Sequence, residues 1–222
     1  MQQLELPVKG NAYTSRRVVV EKLKPQVMYR ETPDHDLDTG WRFLAGDESP
    51  QYLQTPGNVV FCDVQDIAAL EPEVVPFLHM LPPVVFVNTG GSFEAAADPS
   101  LLPTIAPHIR LLCTQLALNP GTWKRLLELG VTPETALRLD FTFRAPDEQQ
   151  ARALAEELST EGGEAKARRG GLLRRHVWVV EGRTSPTTWT LEKLNDWVHL
   201  MVLLGHRHNC AFDGWSTTVD RA

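Results

Sequence analysis

Residues 136–144 read ALRLDFTFR, and residues 146–163 follow as PDEQQARALAEELSTEGG. In the first run apolar and polar residues alternate strictly. Leu137, Leu139, Phe141 and Phe143 fall on one face and Arg138, Asp140, Thr142 and Arg144 on the other, the period of a half-buried strand. The second run changes to helical spacing. Pro146 and Asp147 open it, Gln150 takes the capping-box position, Ala151, Leu154, Ala155 and Leu158 form an apolar stripe, and Gly162 and Gly163 end it. Outward from this strand and helix, residues 164–181 read as two strands joined by RRGGLL, whose Gly170-Gly171 pair supplies the positive φ angles of a tight hairpin. A long helix is predicted from about Thr190 to Arg207, with Leu194, Trp197, Val198, Met201 and Leu204 inward. AFDGWST, residues 211–217, closes the series as a strand. The order βαββαβ is that of a ferredoxin-like plait, four antiparallel strands with both helices on one face. Since that topology hosts many unrelated functions, it does not by itself assign an activity.

The first half of the chain is patterned differently. Short strand signals occur at RVVV (17–20), QVMYR (26–30), WRFL (41–44), VVFC (59–62) and VVFV (84–87), separated by turn clusters. DIAALEPEVVPFL (66–78) has room for one or two helical turns, because Pro72 and Pro76 interrupt anything longer. Between Asn88 and Thr122 lies a Gly- and Pro-rich stretch, broken by the apolar run IRLLCTQLAL, after which TWKRLLELG reads as a short helix closed by Gly130. The expected fold is therefore α+β in two domains: residues 1–112, a small mixed α+β domain with short strands and a linker, and residues 113–222, the plait.

Hydrophobic residues make up 42% and charged residues 23% of the chain, which sets disordered and fibrous classes aside. No apolar run approaches the ~20 residues of a membrane helix and no signal peptide is apparent, so a cytoplasmic protein with no membrane partner is expected. Cys62, Cys113 and Cys210 are widely spaced and form no CxxC, which fits a reducing compartment. Residues 1–112 hold 8 Lys and Arg against 14 Asp and Glu, whereas residues 113–222 hold 14 of each. That acidic bias argues against a general nucleic-acid binder.

Two stretches resemble known families. In AFDGWSTTV, Phe212, Asp213, Gly214 and Trp215 match the signature of the RraB family, regulators of RNase E activity. The likeness covers roughly residues 122–219, and it implies the plait fold and a non-catalytic, protein-binding role. MYRETPDHDLDTGWRFLAGDESPQYL resembles a bacterial domain family classed among the immunity proteins of polymorphic toxin systems. Arg30, Glu31, Pro33, Asp34, Asp38, Gly40, Trp41, Arg42, Phe43, Gly46, Asp47 and Glu48 carry that likeness, which spans roughly residues 14–87 and implies a toxin as partner.

Read from the residues, the acids Glu31, Asp34, Asp36, Asp38, Asp47 and Glu48 have three explanations. They hold Mg²⁺ or Ca²⁺, they meet a basic partner, or they are solvated loop acids. No EF-hand spacing is present. Trp41 starts a strand beside Gly40 and suits a core plug or an interface anchor, and Trp215 carries the same ambiguity, with Asp213 expected to accept backbone N–H bonds in its turn. His206, His208 and Cys210 form H-x-H-x-C at a helix end. This fits no usual zinc spacing, so no metal or cofactor is expected. Arg168, Arg169, Arg174 and Arg175 flank the Gly-Gly hairpin and suit RNA phosphates or an acidic partner. No G-x-S-x-G, P-loop or G-x-G-x-x-G occurs.

The expectation is thus a non-enzymatic regulator that binds a protein partner, a toxin or a ribonuclease. Its contacts would be an acidic loop face of Asp34, Asp36, Asp38, Trp41, Arg42, Asp47 and Glu48, together with Asp213 and Trp215. A metal-dependent hydrolase built on the same carboxylates, or an RNA-binding module built on the Arg hairpin, stand as alternatives.

Overall fold

A computed structural model describes residues 6–96, 104–160, 163–170 and 177–219. The chain divides into two compact units, Met1–Cys113 and Thr114–Ala222. Both mix helix and strand, so the protein is α+β.

The first unit contains β1 (Asn11–Ser15), α1 (Arg16–Val19), β2 (Val27–Arg30), β3 (Asp38–Leu44), α2 (Pro50–Leu53), β4 (Val59–Asp63), α3 (Val64–Leu70), a 3₁₀ turn (Pro72–Phe77), β5 (Val84–Asn88) and β6 (Phe93–Ala95). Its six strands run in the order β4-β1-β3-β2-β5-β6. RVVV, expected as a strand, belongs instead to α1 and the residue that caps it. The strand at this point is the more polar NAYTS, which pairs parallel to β3 and antiparallel to β4. One side of the sheet carries a core of Trp41, Phe43, Met28 and Phe86 under α3 and the 3₁₀ turn. On the other side Tyr13, Tyr29, Leu44, Phe61 and Val85 pack with Ile105, Ile109 and Cys113. With apolar layers on both sides, every residue of β3 is buried. A strand covered twice shows no hydrophobic alternation, and any charge within it must be paired.

The next helix, α4 (Pro107–Glu128), joins IRLLCTQLAL and TWKRLLE into one element with Pro120 inside it. TWKRLLELG was expected as a short helix of its own. Burial of Ile109, Leu112 and Cys113 before the proline and of Asn119 and Leu126 around and after it outweighs the local cost of proline.

The second unit continues with β7 (Ala136–Leu137), β8 (Asp140–Ala145), α5 (Glu148–Thr160), β9 (Glu164–Arg169), β10 (Trp178–Arg183), β11 (Thr187–Thr188), α6 (Leu191–Arg207) and β12 (Ala211–Ser216). ALRLDFTFR is split. Leu137 pairs with Thr187 in a separate two-stranded ladder, while β8 carries the alternation onward with Phe141 and Phe143 buried. The four-stranded sheet runs β12-β8-β10-β9 with antiparallel neighbours throughout. Asp147 Oδ1 accepts the Gln150 N–H at 2.9 Å and Thr190 Oγ1 accepts the Lys193 N–H at 3.2 Å, which fixes where α5 and α6 begin. Gly205 lets α6 lie close to the sheet, since a Cβ there would stand 2.7 Å from the Cys210 carbonyl oxygen and 2.9 Å from the Phe143 ring. Of the hairpin turn, residues 171–176, including Arg174 and Arg175, lie outside the described residues. Among the described residues no helix is long and apolar enough to cross a membrane.

Candidate functional site

Arg42 sits mid-strand in β3 with its side chain fully buried. Its Cα partners are Tyr13 on β1 and Tyr29 on β2, so it stands between two tyrosines on one face. The guanidinium stacks over Tyr13, 4.6 Å from the ring centroid. Its Nη1 and Nη2 donate to Asp38 at 2.7 and 2.9 Å, and its Nε donates to Glu31 Oε1 at 2.7 Å. From Asp38 to Arg42 β3 advances four residues while β1 advances only two, from Asn11 to Tyr13, and this irregularity, which contains Gly40, brings the Asp38 carboxylate within reach of Arg42. Asp38 also accepts the backbone N–H groups of Asp34 (2.9 Å) and Gly40 (2.8 Å). Arg110 of α4 adds a second guanidinium, 2.9 Å from Glu31 and 3.1 Å from Asp34.

The electrostatics follow from this geometry. Burial alone would raise the Asp38 carboxyl, but the hydrogen bonds from Arg42, Asp34 and Gly40 and the Arg42 charge hold it below its ordinary value. Arg42 is opposed by burial in the same way, and the bonds and charges of Asp38 and Glu31 raise it further. Tyr29 is pushed up to about 12 by burial and by the Glu31 charge, so the phenol stays protonated. Gly40 completes the arrangement at φ +81°, where an added Cβ would lie 2.2 Å from the Glu31 carbonyl oxygen. Strand β3 and the Glu31 backbone therefore close on each other only with glycine at this position.

These contacts correct the acidic docking face. Trp41 and Arg42 are 0% exposed, Asp38 5% and Glu48 8%, so none of the four is available to a partner. Trp41 is a core plug whose Nε1–H donates to the Leu78 carbonyl at 3.3 Å. Glu48 accepts the Ala45 and Gly46 N–H groups, both at 2.8 Å, and so shapes the turn after β3. Asp47 stays exposed and pairs with Arg17. Asp34 and Asp36 remain on the surface, next to Leu37 at 49% exposure. The hydrolase alternative loses its donor set, because Glu31, Asp34 and Asp38 already point their oxygens at two guanidinium groups.

In the second unit, Asp213 is exposed and pairs with Arg144 at 2.9 Å. Trp215, half-buried, donates its Nε1–H to Asn119 Oδ1 at 3.0 Å, and Asn119 Nδ2 donates to Asn195 Oδ1 at 2.8 Å. A buried amide on α4 thus ties β12 to α6, a role invisible without the register. Arg168 and Arg169 are exposed on β9. Arg168 does not project freely, since its Nε donates to Glu181 Oε2 on β10 at 2.6 Å. Arg183 bonds Asp140 in the same cross-strand manner, Nη2 to Oδ2 at 2.9 Å. Glu164, Lys166, Arg168, Glu181, Arg183, Asp140, Thr142 and Arg144 share the face of the sheet opposite Phe141 and Phe143, a laced polar surface rather than a basic ribbon.

His208 bonds Glu157 on α5, and Cys210 lies buried behind it. No group of three or more potential metal-ligating side chains occurs among the described residues. Burial raises Cys62 to about 11, Cys113 to about 12 and Cys210 to about 11, so none supplies a thiolate at neutral pH.

The two α+β units, Met1–Cys113 and Thr114–Ala222, match different family models. In the first, the family model described as immunity protein Imm33 domain matches residues 12–94. In the second, the model described as regulator of ribonuclease activity B matches residues 119–217. No curated protein matches the chain. Sequence reading passed over Arg110, Tyr13 and Asn119. Arg42 carried a signal, a charge set between Trp41 and Phe43.

Proposed function

We propose that this chain is a non-enzymatic regulator that acts by binding another protein, a toxin or a ribonuclease, through its surface. The observation that carries the proposal is the coincidence of each compact unit with a family named for immunity or for ribonuclease regulation. In the first unit the contact falls on residues 33–37 rather than on the strand that follows. Asp38 holds the Asp34 N–H and Arg110 holds the Asp34 carboxylate, so this loop is braced at one end. It offers Asp36 beside the exposed Leu37, an acid to steer a basic surface and an apolar side chain to slow release. Bracing before binding lowers the ordering cost.

The test is inhibition of a purified host ribonuclease, or rescue from a toxin encoded beside this chain. Intact protein should lower RNA cleavage, with the effect weakening as salt rises. The pair Asp36→Lys and Leu37→Asp should abolish it with the fold unchanged. RNA cleavage by the chain itself, or inhibition indifferent to both substitutions and to salt, would overturn the reading.

A further inference from the structure

The second unit has a concavity of about 340 Å³ beside α6, walled by Phe141, Leu158, Trp189, Trp197, Leu200 and Met201. We infer that it is a binding site for a neutral small molecule built on one or two rings and carrying a single hydroxyl or amide group. The volume lies at the lower end of the range for ligand pockets. Its walls are fixed. Trp189 Nε1–H donates to the Leu137 carbonyl at 3.2 Å, which holds that indole in place. Trp197 meets Trp189, Phe141 and Phe212 edge-on, with centroids 5.7, 6.1 and 6.0 Å apart. Phe141 lies against bare backbone at Gly182, where a Cβ would stand 2.3 Å from the ring. Rings braced in this way cannot collapse into the space, and they present both faces and edges to a ring.

The chemistry of the lining selects the ligand. Among the described residues no charged side chain contributes to it, which disfavours carboxylates, amines and phosphates. Thr184, Ser185 and Thr187 add hydroxyls. Thr184 Oγ1 accepts the Leu139 N–H at 3.0 Å, which leaves its own proton to donate in another direction. Leu200, 47% exposed, borders the opening. The site lies within the second unit and does not depend on the partner-binding proposal.

Benzyl alcohol is the probe, titrated into the ¹⁵N-labelled full chain while the indole N–H resonances are followed. Trp189 and Trp197 should shift saturably in the millimolar range, while Trp41, buried in the first unit, stays still. Benzoate should bind at least about tenfold more weakly. Leu200→Trp, which closes the mouth from an exposed helix position, should weaken benzyl alcohol by a similar factor, as should Leu200→Asp. Non-saturable shifts, equal movement of Trp41, equal binding of benzoate, or undiminished binding by both Leu200 variants would overturn the site.

Discussion

The two units use arginine–carboxylate pairs in opposite ways. In the first, Arg42 and Asp38 are removed from water entirely and share their bonds with Glu31 and two backbone amides. In the second, Arg168 with Glu181 and Arg183 with Asp140 lie across neighbouring strands in solvent. Identical chemistry therefore has different consequences. A buried pair commits the backbone around it, because either partner left alone is an unsolvated charge. An exposed pair is screened and exchanges readily with water, which leaves its members available to a binding partner.

Removing Arg42 should produce the largest effect. Arg42→Met leaves Asp38 charged and buried without its main donors, and a loss of about 3–5 kcal/mol is expected in denaturant unfolding. Asp38→Asn should cost less, since the amide oxygen can still accept the Gly40 N–H. The double variant should cost clearly less than the sum of the singles, the mark of a coupled pair. If Arg42→Met were no more costly than a surface substitution, the contrast between the units would fail.

The same pair sets an acid limit. Asp38 has a folded-state pKa below its unfolded value, so its stabilising contribution is complete above the unfolded value and is lost as pH falls through the folded one. That window lies below about pH 4. Stability of the native protein should drop in this range, and the drop should be smaller in Arg42→Met with Asp38→Asn. Equal acid sensitivity in the two proteins would show that other carboxylates carry the transition.

How far the fold could be read from the chain depends on solvent exposure. Leu137 through Phe143 and the α6 stripe are half-buried, so their periods of two and 3.6 were written into the residue order. Strand β3 is covered on both sides and gives no period, which is why Asp38 and Arg42 were assigned to a surface. An arginine between Trp41 and Phe43 nonetheless required a partner. The strand NAYTS lacks an apolar run, whereas Val18–Val20, β-branched residues in and just after a single helical turn, suggested a strand by composition. Arg110 lies 76 residues from Asp34 and was out of reach of any local pattern.

The smallest effect is expected on the open face of the four-stranded sheet. Arg168→Ala removes a guanidinium that is about half exposed, and Glu181, left alone, is solvated where it stands. The cost to folding should be no more than about 1 kcal/mol, and it should shrink in high salt. Measured against Arg42→Met in the same denaturant series, this sharpens the comparison: one arginine is required for the backbone to close, the other only laces a surface. A loss approaching that of Arg42→Met would mean that the β9–β10 edge depends on its ion pairs. In that case the surface could not exchange them for a partner without unravelling the strand.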